Sequence, residues 1–552
     1  MDIASDLKSV FSGEIDNSDA TREIYSHDAS LFELKPKVVV FPKDSKDVQQ
    51  LVRWVMTHKE DVPELSITPR SGGTDMSGGA IGESIIADMT KYMNAITEIS
   101  AISAHIQPGL YFRDFDAKTL EHNALLPCYP ASRDLCTLGG MISNNSGGEK
   151  SLEYGKTANF VTELSIVFAD GNEYIVRPLQ KDELVRKMSQ GDYEGDLYKQ
   201  TFELIEKHYD QIQKAKPNVS KDSTGYHLWD VWNRETGVFD MTKLIVGSQG
   251  TLGIVTDIKV KLVPRRAHTG LLVLFLKDID DLGELITTVL KHKPATFESF
   301  DDATLLLSIK FMPYFLKILG PLKFIQLLVG LVPTGIHLLK GIPRLVLMIE
   351  FDADTEEEVR EKVRELHLEL AKHKARYEIN GFEETPTAGQ AEKFWVMRRH
   401  SFNILRKKVK DKHTAPFIDD FVVPPAHLSE FLPKLREIIK RYKLFATIAG
   451  HVGDGNFHVI PLMNIERAEE RAKLQPAMKE VNTLVLKYGG SISGEHNDGM
   501  VRGPWLETMY GSEVFEHMKD TKAIFDPQNI FNPHKKTDAN WDFSFNHIRQ
   551  NF

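Results

Sequence analysis

The sequence predicts an α+β protein with more than one domain, and three observations lead to this fold class. The chain has 552 residues, which is more than a single hydrophobic core usually serves. Short runs of β-branched residues alternate with stretches whose apolar residues recur at helical spacing. Glycine-rich loops interrupt this alternation in the first half of the chain.

Residues 1–267 are predicted to form one α+β unit. An apolar run at 38–41 begins a strand. Residues 44–55 read as a helix, because Asp44 and Ser45 can cap a segment with helical periodicity. Further strands and tight turns are predicted at 65–69, 84–89, 96–109, 161–171 and 252–260.

Residues 268–505 are predicted to form a second, cap-like α/β domain. A strand at 271–276 is followed by another at 345–351, and helices rich in Glu and Lys are predicted at 355–373 and 425–442. We expect the C-terminal segment, 506–552, to pack back on the first unit.

The overall composition excludes several classes of protein. With 68 Lys and Arg against 78 Asp and Glu, the net charge is −10, which argues against a nucleic-acid partner. Two cysteines, Cys128 and Cys136, cannot build a disulfide framework, a four-thiolate zinc site or an iron–sulfur cluster. The first residues show no secretory signal, so we expect a cytoplasmic protein.

Residues 311–343 differ from the rest of the cap domain. This segment contains three lysines and no acidic residue among dense Phe, Leu, Ile and Val, and its longest uncharged stretch, 324–339, has 16 residues. That is shorter than the ~20 apolar residues of a spanning helix. The segment is therefore interpreted either as a buried helical hairpin or as a peripheral contact with the inner face of the membrane, with a true membrane span as the third and least favoured alternative.

Two glycine-rich loops suggest an extended ligand that contains a pyrophosphate. The first loop, residues 69–80, follows a predicted strand, and the second loop covers residues 136–148. Consecutive glycines let backbone amides approach a phosphate without a Cβ in the way. Neither loop has the Walker sequence or the Gly-x-Gly-x-x-Gly fingerprint.

A histidine constellation lies in the predicted cap domain. His451 and His458 are separated by six residues, and Glu495 and His496 follow in another glycine-rich turn. Two imidazoles and a carboxylate form an ordinary ligand set for a divalent metal with open positions for a substrate. A structural role is the alternative for any single one of these histidines.

The two loops, together with residues 245–255, resemble the FAD-binding domain of the vanillyl-alcohol oxidase/p-cresol methylhydroxylase flavoproteins. The sequence is most similar to their FAD-linked oxidase branch, which contains D-lactate dehydrogenases, glycolate oxidase flavin subunits and D-2-hydroxyglutarate dehydrogenases. The similarity covers residues 20–265 and 385–540. It implies a two-lobed FAD-binding domain of the p-cresol methylhydroxylase type, followed by an α/β cap domain with an antiparallel sheet.

The resemblance also implies which residues contact FAD. The pyrophosphate would be held by Pro69, Arg70, Ser71, Gly72, Gly73, Thr74 and Ser77. The ribityl chain and ring would be surrounded by Pro130, Ser132, Thr137, Gly140, Ser143, Asn144, Gly147 and Gly148. Ile254 and Val255 would lie on the adenine side, and Asn532 would reach the flavin. Some relatives attach the flavin through a His or Cys of the first loop; because Thr74 stands there, we expect non-covalent FAD.

For the histidine constellation, the resemblance implies that His451, His458 and Glu495 bind zinc or manganese, which grips the hydroxyl and carboxylate oxygens of the substrate. His496 would be the base that removes the hydroxyl proton. A neutral imidazole with a pKa near about 6.5 suits that task. Asn497 stands where many relatives have Gly, so the sequence does not determine the backbone geometry beside the base.

The substrate carboxylate needs a fixed cation. Arg398 matches the arginine that relatives use, with Arg399 as the next candidate, although either could be a solvated charge on a helix. Arg502 is a further candidate cation. Ile418 stands where hydroxyglutarate enzymes have a substrate-contacting Lys, which argues against a second carboxylate on the substrate.

The resemblance implies an FAD-dependent dehydrogenase that oxidises a small D-2-hydroxy acid, with D-lactate favoured, to the 2-oxo acid. The electrons would leave to an external acceptor, a quinone or a cytochrome, and a homodimer is one assembly that we include. Rival interpretations are oxidation of glycolate or another 2-hydroxy acid on the same fold, a flavin-independent metal hydrolase using the histidines, and a non-catalytic flavin scaffold.

Overall fold

The computed structural model describes residues 2–310, 341–385, 389–398 and 412–550, together with positions 320, 321, 324, 328, 331, 335 and 387. Most of the apolar segment 311–343 lies outside these residues, as does Arg399. In the described part of the chain, no helix is both long and apolar enough to cross a membrane.

The first unit contains a small mixed sheet that carries the first glycine-rich loop. Its strands, in spatial order, are Glu14–Asp16, Val38–Phe41, Ile85–Asp88 and Ile67–Arg70. The last three run parallel. Phe531 from the C-terminal segment forms a parallel bridge to Ile67, so this segment does contact the first sheet.

A second, antiparallel sheet supports the second glycine-rich loop. Its strands, in spatial order, are Ile96–Ile99, Ser103–Ile106, Ile254–Lys261, Val161–Val167 and Glu173–Val176. The same unit contains two small sheets: the pair Ala124–Leu125 and Val263–Pro264, and a three-stranded sheet in the order Leu179–Gln180, Val238–Phe239 and Trp232–Asn233. Strand Ile254–Lys261 alternates buried and partly exposed residues, as one face of it packs into the core.

The large sheet belongs to the predicted cap domain and is antiparallel. Its strands, in spatial order, are Ile379–Thr385, His268–Leu276, Leu345–Ala353, Thr296–Asp301, Phe445–His451, Asn456–Met463 and His413–Thr414, with Phe421–Val422 beside Asn456–Met463. The run Leu345–Ala353 is buried along its whole length, because helices and the first unit cover both faces. The antiparallel sheet expected from the sequence is confirmed.

The helices lie around these sheets and begin where the sequence offers a cap. Asp44 accepts backbone hydrogen bonds from Lys46 and Asp47 at the start of Ser45–His58. Thr355 likewise caps Glu356–Lys372. The longer helices besides these two are Phe112–Glu121, Lys181–Met188, Tyr193–Lys207, Leu282–Lys291, Asp302–Lys310, Leu428–Arg441, Leu474–Lys487 and Leu506–Phe525. The shorter ones are Ile3–Leu7, Asp19–Ile24, Leu138–Asn144, Ser151–Tyr154, Tyr209–Ala215, Thr242–Ile245, Ala468–Arg471, Gly499–Arg502 and Trp541–Asn546.

The structure thus has the α+β architecture that the sequence predicts, with helices predicted near 44–55, 355–373 and 425–442 present at those places. Before strand Ile254–Lys261, Thr242–Ile245 is a helical turn that brings Gly247 beside the second loop. The boundaries proposed between the three segments of the chain stay a prediction.

Candidate active site

One continuous cavity of about 780 Å³ joins the two glycine-rich loops to the histidine constellation. At one end it is lined by both loops, and at the other by residues of the large sheet and of the helical segment 389–398. This volume lies in the range of cofactor and substrate pockets. Residues that are almost 400 positions apart in the chain therefore face the same space.

The first loop is fixed by its own arginine. Arg70 ends strand Ile67–Arg70, and its guanidinium donates hydrogen bonds to the backbone oxygens of His27, at 3.0 Å, and of Tyr25 and Ala80, both at 3.3 Å. Its charge is thus balanced by carbonyl dipoles rather than by an acid in these contacts. The loop is held open around the cavity that it lines.

The second loop packs directly against the first. The Thr137 side chain accepts hydrogen bonds from Gly72 N, at 3.2 Å, and from Gly140 N, at 3.4 Å. A Cβ on Gly72 would lie 2.8 Å from Leu135 O, so glycine is required for this approach. A Cβ on Gly140 would meet only Thr137 Oγ1 within 4 Å, and its absence keeps part of the cavity open.

Most of the residues predicted to contact FAD line the cavity. They are Pro69, Arg70, Ser71, Gly72, Gly73, Thr74, Pro130, Ser132, Thr137, Gly140, Ser143, Asn144 and Val255. The volume, the glycine-lined walls and the two facing loops fit an extended dinucleotide such as FAD. The loops would hold it, and these contacts stay proposals.

Five predicted FAD residues do not line the cavity. Ser77 is fully buried, donates to Asp75 and accepts from Gln249. Asn532 donates to Gly79 O and Gln249 O, so both side chains brace the first loop from behind. The remaining three are enclosed by neighbouring protein atoms: Gly147, Gly148 and Ile254. In this structure these five positions support the loops, and their contact with FAD stays a prediction.

The large sheet brings the two spaced histidines together. His451 ends strand Phe445–His451, and His458 lies in the neighbouring strand Asn456–Met463, opposite Ala449. Gly455, at φ 69°, makes the tight turn between them. The six residues between the histidines are therefore the turn and strand ends of one hairpin.

Glu495 lies between the two imidazoles. His451 Nε2 is 3.3 Å from Glu495 Oε1, and His458 Nε2 is 4.0 Å from Glu495 Oε2. The opposite nitrogen of each ring faces another carboxylate: His451 Nδ1 contacts Glu298, and His458 Nδ1 is 3.2 Å from Asp419 Oδ1. Both Nε2 atoms therefore face the same carboxylate group.

The turn that carries Glu495 and His496 is organised by Asp420. Its carboxylate accepts hydrogen bonds from Glu495 N, at 2.9 Å, from His496 N, at 2.7 Å, and from Ser493 Oγ, at 2.7 Å. Arg502 donates to two backbone carbonyls, those of Asn497 and Asp419. Arg502 is 2% exposed and does not line the cavity, so it braces this turn instead of facing the substrate space.

Asn497 occupies a left-handed backbone conformation, with φ 65°. Asparagine tolerates this region better than most residues. Its side chain donates to Asn144 O, at 3.2 Å, and to Gly247 O, at 2.8 Å, and accepts from Lys536 Nζ at 2.7 Å. The backbone geometry that the sequence left open is thus fixed, and the turn is tied to the second loop.

Buried carboxylates control the charges of this site. Burial alone would lower the pKa of His496, but the carboxylates of Asp420 and Asp419 outweigh it and raise the pKa to about 9. For His451, burial is outweighed by Glu298 and Glu495, which raise its pKa to about 9. The pKa of Glu495 is held well below its ordinary value against burial, chiefly by His451 and Lys221. In the protein without a metal, the carboxylates therefore raise the pKa of the proposed base His496 above the ordinary imidazole value.

The donor set fits a divalent metal. His451, His458 and Glu495 supply two imidazoles and a carboxylate whose ligand atoms face one another, although Glu495 Oε1 is also paired with Lys221 at 2.6 Å. Within the described residues, four side chains also place one ligand atom each within 4.8 Å of all the others: Asp420, His458, Glu495 and His496. Asp420 already accepts several hydrogen bonds, which makes it the weaker candidate. Because the pKa values of His451 and His496 are raised, protons on these two imidazoles compete with the metal.

Arg398 lines the cavity, and its Nη2 atom lies 3.1 Å from Glu298 Oε2. The candidate carboxylate-binding arginine is thus present but already paired with a buried acid. Arg399, the second candidate, lies outside the described residues. Ile418 is 3% exposed in the core of the large sheet.

Three buried residues of the site were not found from the sequence: Glu298, Asp419 and Lys221. Lys221 is 1% exposed, and its Nζ lies 2.6 Å from Glu495 Oε1 and 3.1 Å from Asp454 Oδ2. Glu298 and Asp419 each face histidine Nδ1 atoms. For these two acids the sequence offers one signal each: Glu298 lies inside an apolar strand, and Asp419 is one of two adjacent acids between apolar runs.

Two family models match long parts of the chain and define its general class. Residues 36–176 match the model described as "FAD binding domain", and residues 265–536 match that described as "FAD linked oxidases, C-terminal domain". The chain belongs to the FAD-linked oxidase family.

Individual proteins are similar over nearly the whole chain. A D-2-hydroxyglutarate dehydrogenase of Pseudomonas putida is 26% identical over 527 residues, which are 95% of this chain and 50% of that protein. This chain thus spans about half the length of that relative. The glycolate oxidase subunit GlcD of Bacillus subtilis is 28% identical over 526 residues, 94% of this chain and 93% of the relative.

The fold is that of known flavoproteins. The crystal structure of p-cresol methylhydroxylase with substrate bound superposes with a TM-score of 0.61, covering 98% of this chain and 96% of that chain at 13% identity. The predicted p-cresol methylhydroxylase-type architecture is therefore confirmed, whereas this likeness carries no information about the substrate.

Proposed function

We propose that the protein oxidises a small D-2-hydroxy acid to the 2-oxo acid, with D-lactate as the favoured substrate. The observation that carries this proposal is the single cavity that joins the glycine-rich loops to His451, His458, Glu495, His496 and Arg398. Oxidation of a 2-hydroxy acid removes a hydride from carbon and a proton from oxygen, so the acceptor and the base must share one space.

When bound, FAD supplies the two-electron acceptor, and zinc or manganese supplies a Lewis acid for the substrate oxygens. The first and second loops would hold non-covalent FAD. His451, His458 and Glu495 would hold the metal, with Glu298 accepting the Nδ1 proton of His451. Thr74 stands at the place of covalent attachment in some relatives.

His496 would take the hydroxyl proton. It lines the cavity and stacks on His458, with the ring centroids 5.1 Å apart. A base must be deprotonated, and in the protein without a metal the pKa of His496 is raised to about 9. Positive charge held at the neighbouring His458 would lower that pKa, since like charges disfavour the imidazolium. Metal loading and base activity are therefore expected to rise together.

Arg398 would bind the substrate carboxylate. The pair that it forms with Glu298 holds the guanidinium at the cavity lining. Substrate binding would then add a second carboxylate to a cation that is already oriented, which costs less side-chain entropy than ordering a free arginine. Removal of Arg398 should weaken substrate binding more than it weakens FAD binding.

A substrate without a second carboxylate is favoured by the walls near the histidines. The described residues there include Thr414, Thr447, Ala449 and Ile460, and Arg398 is the only lysine or arginine that the large sheet and the helical segment 389–398 contribute to the lining. A second carboxylate, as in D-2-hydroxyglutarate, would lack a further cation among these residues. The named relatives make D-2-hydroxyglutarate and glycolate the rival substrates.

Anaerobic flavin bleaching tests the proposal. The purified holoprotein should be yellow, and D-lactate should bleach it faster than L-lactate, glycolate or D-2-hydroxyglutarate, and more slowly after chelation. His496→Ala should keep FAD and lose bleaching, because only the base is removed. A colourless protein that hydrolyses esters or amides would support the metal-hydrolase rival instead, and faster bleaching by D-2-hydroxyglutarate would transfer the assignment to that acid.

We propose that the electrons then pass to an external quinone or cytochrome, from a cytoplasmic protein held at the membrane surface through residues 311–343. The basic, apolar composition of that segment supports a contact with anionic lipid. Co-sedimentation with vesicles of anionic and neutral lipid, compared between the wild type and a 311–343 deletion that retains FAD, tests the contact. Equal recovery of both proteins in the supernatant would contradict it.

A further inference from the structure

The carboxylate of Asp419 faces two histidines with different roles. Its Oδ1 accepts a hydrogen bond from His458 Nδ1 at 3.2 Å. Its Oδ2 lies 2.9 Å from His496 Nδ1, which is within ion-pair distance although the two atoms are not aligned as a hydrogen bond. Asp419 is 2% exposed, so water does not replace these contacts. Its backbone oxygen accepts a hydrogen bond from Arg502 at 2.8 Å, which fixes the main chain at this position.

This arrangement determines which nitrogen of each ring is available. A carboxylate beside Nδ1 favours the tautomer with hydrogen on Nδ1 and a lone pair on Nε2. In His458 the Nε2 atom then faces Glu495, and in His496 the corresponding nitrogen is left for the substrate proton. A single buried carboxylate thus sets both a metal ligand and the base.

Asp420, the adjacent residue, does a different job. Its oxygens accept backbone and side-chain hydrogen bonds that shape the turn. Glu298 also differs from Asp419, because it faces one histidine, His451, and the substrate-side Arg398. Among the residues described, Asp419 is the one whose two oxygens each contact a different imidazole Nδ1.

We infer that Asp419 is a positioning residue that orients the metal ligand His458 and the base His496 at once, and so couples metal binding to proton removal. This inference rests on the proposed function. Its physical basis is the pair of contacts to the two Nδ1 atoms, which a neutral amide cannot reproduce: an asparagine offers one acceptor oxygen and one donor nitrogen.

The decisive variant is Asp419→Asn, with Asp526→Asn as the matched control. Asp526 is also 2% exposed and paired with a lysine, but it lies outside the cavity lining. Zn²⁺ is titrated by calorimetry into chelator-treated, FAD-bound protein, and flavin bleaching is followed at saturating Zn²⁺. Loss of a partner behind a ligating histidine typically costs about 10–100-fold.

We expect Asp419→Asn to weaken Zn²⁺ binding by about 10–100-fold and, at saturating Zn²⁺, to lower the limiting rate of bleaching by a similar factor. The substrate concentration for half-maximal rate should change less. Glu298→Gln should instead weaken Zn²⁺ and raise that substrate concentration, because it touches Arg398. Asp526→Asn should leave the Zn²⁺ affinity and the bleaching rate unchanged.

The inference would be overturned if Asp419→Asn bound Zn²⁺ with the affinity of the wild type. It would also be overturned by an unchanged bleaching rate, because Asp419 would then orient His458 alone. Equal losses in Asp526→Asn would show general destabilisation and also overturn it. If the asparagine variant does not retain FAD, Asp419→Glu replaces it; displacement of both oxygens by one methylene should lower affinity and rate together, and wild-type values for both would overturn the inference.

The same experiment separates this inference from the proposed function. A wild type that binds Zn²⁺ but is bleached by none of the acids refutes the reaction, while the Zn²⁺ affinities still decide the role of Asp419 at His458. A wild type that does not bind Zn²⁺ overturns the inference, and bleaching by D-lactate then decides the reaction alone.

Discussion

Replacing Lys221 by methionine should strongly destabilise the protein when no metal is bound. The Lys221 ammonium lies 2.6 Å from Glu495 Oε1 and 3.1 Å from both Asp454 Oδ2 and Gly148 O, and its side chain is 1% exposed. Methionine fills similar volume but leaves two buried carboxylates without their shared cation. Breaking a buried pair in this way costs about 3–5 kcal/mol.

Although two carboxylates lose their cation, the loss of unfolding free energy should stay in that range and not double, because Glu495 keeps a second partner, His451 Nε2, at 3.3 Å. A bound metal would return positive charge to Glu495, so the difference between Lys221→Met and the wild type should shrink when Zn²⁺ is added. Loss of packing alone would not respond to Zn²⁺ in this way. The two conditions therefore separate charge from volume.

Urea unfolding at pH 7, with chelator and then with excess Zn²⁺, measures this effect through the midpoint at constant slope. Lys216→Met is the matched control: its ion pair with Asp230 is about half exposed, and such pairs contribute about 0–1 kcal/mol. A loss below about 1 kcal/mol for Lys221→Met, or a loss that Zn²⁺ leaves unchanged, would refute the reasoning.

Three further predictions concern the same region. The pKa of His451 and of His496 is raised to about 9, so their contribution to the stability of chelator-treated protein is complete below pH 6.5 and is lost as the pH rises through 9. The urea midpoint should therefore fall across this pH window, and it should fall less when Zn²⁺ is present. A midpoint that does not change with pH would contradict the raised pKa values. Asn497→Gly keeps an allowed backbone at φ 65° but removes the side-chain donor to two buried carbonyls. The free energy of unfolding, measured in urea, should fall by about 1–3 kcal/mol. A smaller change would show that this side chain does not hold the turn against the second loop. In Gly72→Ala, the new Cβ would lie 2.8 Å from the backbone oxygen of Leu135, directly before the second loop, so FAD should bind about tenfold or more weakly in a fluorescence titration. Gly389→Ala, whose Cβ would meet no atom of the described residues within 4 Å, should bind FAD like the wild type.

The sequence predicts the elements and loops well because their signals are local. Capping residues such as Asp44 and Thr355 stand directly before helical periodicity, and those helices are present. Glycine pairs in the first and second loops likewise mark places where backbones approach closely, as at Gly72. The match to the FAD-linked oxidases adds the order of the two domains.

The roles of individual loop residues were harder to predict. Ser77 and Asn532 were expected at the cofactor, whereas the structure buries both behind the first loop. A polar side chain in a glycine-rich loop can point into the cavity or support the loop from behind, and the sequence has the same appearance in both cases. Arg502 shows the same ambiguity, since its guanidinium binds two backbone carbonyls.

By itself, the sequence determined the α+β class, the two glycine-rich loops and the identity of the chemically capable side chains, because these depend on residue type and on neighbours a few positions away. Only the tertiary structure decided the charges of the site. Glu298 and Asp419 reach the histidines, and Lys221 reaches Glu495, from three distant parts of the chain. Electrostatic interaction depends on distance and burial, which the order of residues does not record.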